Sequence, residues 1–144
     1  MRSAVVVALA FLMLFTEVQA HSLEPSYRII RFHQGYTRFP MKAVNAFEYT
    51  EVFEVEVFED DSFSNPLQFD SSPSEVVLQS MDSREFVIQM DEVSLEDFIV
   101  CTRTNRDNGS SRVCSRVLVC QPYASNTECK RQLSKRRGEY LFGR

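Results

Sequence analysis

The chain has 144 residues, 44% of them hydrophobic and 25% charged, enough for one domain with a modest core. Its formal net charge of -4 argues against nucleic acid as a partner. It carries only His21 and His33 and has no Gly-x-Ser-x-Gly, His-Glu-x-x-His or phosphate-binding glycine loop, which excludes the common hydrolase and nucleotide-binding machineries.

Met1 and Arg2 form a short positive start, Ala4 to Phe15 is an uncharged apolar run, and Val18-Gln19-Ala20 suits a signal peptidase. Residues 1–20 therefore read as a signal peptide cleaved before His21, and the mature chain as secreted. The apolar run is shorter than the roughly 20 residues that cross a bilayer, so no transmembrane anchor is expected. Export would carry Cys101, Cys114, Cys120 and Cys129 into an oxidising compartment, and two disulfides follow as the expectation. Intervals of twelve, five and eight residues between them contain no Cys-x-x-Cys pair, so neither a metal nor a cofactor is expected there. Four cysteines allow three pairings.

Residues 21–49 form a leader with mixed aromatic and basic character, whose Tyr27–Phe32 stretch suits either a short helix or a strand. A domain is expected over residues 50–133. In Thr50–Phe58, Phe53, Val55 and Val57 alternate with Glu54 and Glu56, the period of a half-buried strand. Loops are expected around Glu59–Pro66 and over Asp70-Ser-Ser-Pro-Ser, then strands at Val76–Leu78, Glu85–Met90, Leu95–Arg103 and Val113–Cys120. Asn108-Gly109 suits a tight hairpin turn. With a loop over Arg106–Gly109, facing residues have numbers summing to 215, which sets Cys101 opposite Cys114 and makes a cross-strand disulfide one of the open pairings. Residues 134–144 are a basic tail. Short strands and frequent turns predict an all-β fold, a small immunoglobulin-like β-sandwich stabilised by disulfides.

Charge is divided unevenly: Glu48 to Asp97 holds fifteen carboxylates and one base, Arg84, whereas Phe98 to Arg144 holds ten bases and three acids. Mutual neutralisation within one fold accounts for this; calcium or mineral binding by the acidic central region is the sharper reading. Asn108-Gly-Ser is an N-glycosylation sequon, so Asn108 is a candidate glycan site. If cleavage leaves His21 as N-terminus, its amine and ring with His33 form a candidate copper clamp, a minor alternative. Glu54 and Glu56 read as a solvated strand face, not a glycosidase pair.

The segment Arg112-Val-Cys-Ser-Arg-Val-Leu-Val-Cys120-Gln-Pro-Tyr-Ala-Ser-Asn-Thr-Glu-Cys129, followed by Lys135-Arg136-Arg137, resembles the end of a zona pellucida-type module, the C-terminal immunoglobulin-like half. Phe53-Glu-Val-Glu-Val57 is similar to an internal strand of that family. The resemblance implies a non-enzymatic structural role in an extracellular coat or matrix, with Cys114, Cys120 and Cys129 in the family's terminal disulfides and a processing site at Lys135, Arg136 and Arg137. Two other roles are open: a peptide or prohormone precursor cut at Lys135–Arg137, and a cystatin- or cathelicidin-like inhibitor or defence protein.

Overall fold

The computed structural model describes residues 21–106 and 109–141. Nine strands form two sheets. The four-stranded sheet contains β1 (His21–Glu24), β3 (Tyr36–Asn45), β7 (Ser83–Asp91) and β5 (Asp70–Ser72), in the order β1-β3-β7-β5. The five-stranded sheet contains β2 (Tyr27–Arg31), β9 (Gly109–Cys120), β8 (Asp97–Arg106), β4 (Glu51–Phe58) and β6 (Glu75–Leu78), in the order β2-β9-β8-β4-β6. All named pairs are antiparallel except β2 with β9, which is parallel. This is the all-β sandwich that the alternating pattern predicts.

The period of two places one set of side chains between the sheets. Phe39, Met41, Phe86 and Ile88 of the first sheet meet Phe53, Val76, Phe98, Val100 and Val117 of the second, each at most 3% exposed. The outer face of the five-stranded sheet also buries a small cluster, Phe58, Ile99 and Cys101, with Cys114 packed against it. The loop after β4 covers that cluster, with Phe63 edge-on to Phe58 at 5.5 Å.

Residues 21–49, expected to be a leader, supply β1, β2 and β3 of the sandwich. The ambiguous Tyr27–Phe32 stretch is extended because β9 offers it a parallel partner and the core takes Ile30 and Phe32, each 5% exposed. The stretch expected as a loop at Asp70 contains the short edge strand β5, paired with Gln89, Ile88 and Val87. Pro25 and Pro73, each after a cis peptide bond, stand where the chain passes directly from one sheet to the other.

The expected boundary at residues 133 and 134 falls inside a helix, α1 (Asn126–Leu141). Its composition hid it, because α1 has no apolar stripe of the kind that marks a packed helix. It starts from Ser125, whose hydroxyl accepts the Glu128 amide at 3.1 Å, an N-cap bond. Beyond that, Cys129 is bonded to Cys120 at the end of β9, and Arg31 of β2 donates to Ala124 O (3.1 Å), Asn126 Oδ1 (2.8 Å) and Cys129 Sγ (3.4 Å).

Candidate functional site

The β8–β9 hairpin pairs residues whose numbers sum to 215 throughout, from Asp97 with Leu118 to Arg106 with Gly109. Cys101 and Cys114 thus oppose each other, 4.0 Å apart at Cα, and are bonded; the second disulfide joins Cys120 to Cys129. Asn108, the candidate glycan site, lies outside the described residues.

In β9 the Val119 amide donates towards Glu96 on the β8 side (2.9 Å), whereas the Arg116 amide donates to Ser26 on the opposite side (3.2 Å). Successive strand amides alternate in direction, so those of Ser110, Arg112 and Cys114 also point away from β8. Only Arg116–Cys120 are paired there, with β2, while β1 runs close to β9 without pairing to it. Among the described residues no strand pairs with the outer side of Gly109–Ser115. The cause lies in the path of the chain: upstream of β2 it leaves β9 at Pro25 and joins the other sheet as β1, paired with β3. The Ser115 hydroxyl donates to Pro25 O where the two part.

This open half-strand is stiff. The disulfide holds its centre to β8. On the same outer face, Arg103 binds both Glu54 and Glu56, Arg112 Nε reaches Glu56 at 2.7 Å, and Arg116 meets Asp97 at 3.3 Å. The Arg112 guanidinium also lies 4.4 Å from the Phe63 ring centroid and 5.3 Å from that of Phe58. The two carboxylates of the strand pattern are therefore engaged by arginines from the basic half of the chain. Neighbouring strands thus supply opposite signs at Glu54, Glu56 and Asp97. Between Gly109 and Ser115 there is no proline or lysine to blunt the edge, and the one charged side chain, Arg112, is engaged by Glu56.

His21 opens β1 and is 2% exposed. Its ring packs 5.1 Å from Phe53, and Nε2–H donates to Thr102 O at 3.4 Å. Burial holds its pKa below the ordinary 6.5, opposed by the Thr102 carbonyl and the Glu51 carboxylate. The pairings His21 with Asn45 and His33 with Tyr36 put the two histidines at opposite ends of β3, about 30 Å apart at strand rise. They cannot jointly clamp copper.

Lys135, Arg136 and Arg137 lie within α1. A regular helix is not the flexible loop tip that proteases cut most readily, which weighs against the peptide-precursor alternative. The one helix described follows the strands, and two packed sheets replace a sheet wrapped on a helix, so the cystatin-like alternative does not fit this architecture. Of the features expected from sequence, the hairpin and its cysteines meet at the open edge; the processing site does not. The open edge itself was missed. Its only trace in the sequence is the disparity between a long last strand and a short Tyr27–Arg31 strand cut off by Pro25.

No family model and no curated protein sequence matches the chain. Solved structures do. The Escherichia coli chaperone DraB superposes with a TM-score of 0.61 at 14% identity, covering 74% of this chain and 57% of its own. A Salmonella enterica SafA pilin in complex with the SafB chaperone gives 0.59 at 14%, covering 77% and 59%. WR4, an MSP family member of Caenorhabditis elegans, gives 0.51 at 5%, covering 70% of this chain and 98% of WR4. The chain thus spans under three fifths of the first two structures it matches. At such identities the likeness establishes an immunoglobulin-like sandwich fold.

Proposed function

We propose that the protein is a secreted, non-enzymatic binding domain of an extracellular coat or fibre, which holds an extended segment of a coat subunit along the open half of β9. One observation carries this reading: Ser110, Arg112 and Cys114 turn their backbone donors and acceptors outward on a stiffened strand with no partner among the described residues. A polypeptide lying beside them continues the five-stranded sheet, gaining main-chain hydrogen bonds without reshaping the domain. Stiffness matters because an edge already held in strand geometry loses little conformational entropy on binding.

The sandwich shared with DraB and with a pilin–chaperone complex supports a domain that handles protein segments. Secretion rests on the signal-peptide pattern of residues 1–20, and pairing of all four cysteines agrees with an oxidising compartment. The coat context rests on the zona pellucida-like pattern from Arg112 to Arg137.

The test is amide hydrogen exchange on the secreted protein, free and in the complex it forms with its coat subunit. In the free protein, Ser110, Arg112 and Cys114 should exchange at least about a hundredfold faster than Ser111 and Val113, since unpaired edge amides open at little cost. In the complex that difference should vanish. Protection at all five amides in the free, monomeric protein would overturn the reading.

A further inference from the structure

The opposite edge of the same sheet, β6, carries a second and chemically distinct feature. On its outer face Val77 is paired directly with Val52 of β4, and the two are 49% and 41% exposed. Two residues along, Glu75 is paired directly with Glu54. Like charges opposite one another destabilise a sheet. Arg103 answers Glu54 from the β8 side, while Glu75 has no ion-pair partner among the described residues. The sandwich therefore ends in an exposed apolar pair beside an uncompensated carboxylate.

The neighbouring loops expose apolar side chains of their own. Tyr49 is 39% exposed and Met81 is 71% exposed, the latter at φ 59°, a backbone region that non-glycine residues rarely occupy. Both loops are held by Asn45, which is 1% exposed. Its side-chain nitrogen donates to Tyr49 O (2.8 Å) and Gln79 O (2.9 Å), with Leu78 O at 3.2 Å, and its oxygen accepts the Phe47 amide at 3.0 Å. A buried polar side chain is thus used to present hydrophobic groups to solvent. The exposed charged residues of β6 and of these two loops, Glu48, Glu75 and Asp82, are acidic, and the base beside them on the outer face, Arg103, is taken by Glu54 and Glu56.

We propose that β6 is a second strand-accepting edge, for a protein segment that carries Lys or Arg two residues from an apolar residue. In a strand those two side chains share a face, so the base meets Glu75 while the apolar group covers Val77 and Val52. The acidic surround selects a basic partner over a second copy of this chain, whose identical edge would bring acid against acid. Because β2 and β6 bound the same sheet, this surface is independent of β9, and both can be engaged at once.

The test is NMR titration of the isotope-labelled full mature chain with two capped, threonine-rich octapeptides centred on Lys-Thr-Val or Glu-Thr-Val. Shifts should centre on Glu75–Leu78, and the lysine peptide should bind about fivefold tighter, the upper range of a cross-strand charge pair. In Glu75→Lys, an exposed change that leaves the core intact, the preference should reverse. Equal affinity for both peptides in both proteins, shifts centred on β9, or no response at millimolar peptide would overturn the proposal. So would a concentration-dependent dimer that Glu75→Lys abolishes, because the occupant would then be a second copy.

Discussion

The two disulfides close loops of similar length, yet removing them should have unlike effects. Cys101–Cys114 spans a separation of 13 residues and Cys120–Cys129 one of 9. The chain-entropy relation assigns them about 3 and about 2.7 kcal/mol of constraint on the unfolded chain. The first is buried in the sheet, with Cys101 fully enclosed and both strands paired on either side of it. Its loss in Cys101→Ala/Cys114→Ala adds entropy only to the unfolded state. The sandwich should then lose about 3 kcal/mol from this entropy and about 1 kcal/mol more from the cavity at the enclosed Cys101, a large share of a typical 5–15. The second ties down α1, which has no apolar stripe. In Cys120→Ala/Cys129→Ala the helix frays in the folded state as well, so the entropy gain appears on both sides and largely cancels. We expect a cost of about 1 kcal/mol, from the cavity at Cys120. Urea titration followed by tyrosine fluorescence gives the two stabilities, and circular dichroism at 222 nm reports the helix. Equal destabilisation by both pairs, or a helical signal that survives loss of Cys120–Cys129, would refute this division of labour.

Asn45→Ala should cost about 3 kcal/mol, since it strands the Phe47 amide and several carbonyls in the loops that present Tyr49 and Met81; thermal melts measure it, and a loss under about 1 kcal/mol would contradict the network. His21 is neutral when buried and its folded pKa lies below 6.5, so the unfolded chain binds the proton more readily. Its stabilising contribution is therefore complete above pH 6.5 and falls as pH drops through the folded value. Stability measured between pH 7 and pH 5 should decline more steeply in the wild type than in His21→Gln, and parallel curves would contradict the buried-histidine assignment. Replacing Glu56, which accepts from both Arg103 and Arg112, by Gln should lower stability by about 1–2 kcal/mol in urea titrations, with a smaller deficit at 1 M salt.

Period-two patterning from Phe53 to Val57 and the turn at Asn108-Gly109 were sufficient to predict the sandwich and the register of its last hairpin. Both signals are local: alternation fixes which face is buried, and loop length fixes which residues oppose. The first three strands were harder to read. Tyr27–Phe32 has no clean alternation because β2 takes its identity from a parallel partner about ninety residues away. Helix α1 was illegible for a different reason. It is held by Cys129, Arg31 and the Ser125 cap, so the usual apolar stripe is missing. The open edge of β9 is a property of what fails to pair with it, and it emerges only when Pro25 is seen to divert the chain to the other sheet.

The claim that Gly109–Ser115 accepts a strand is tested most directly by photo-cross-linking in the secreted material that contains the protein. Photoreactive residues placed singly at Ser110 and at Arg112 lie two positions apart on one face of β9. Strand addition requires them to capture one segment of one partner, at partner residues also two positions apart, with a probe at Ser83 in the other sheet capturing neither. Capture at unrelated positions, or equal capture from Ser83, would contradict the account.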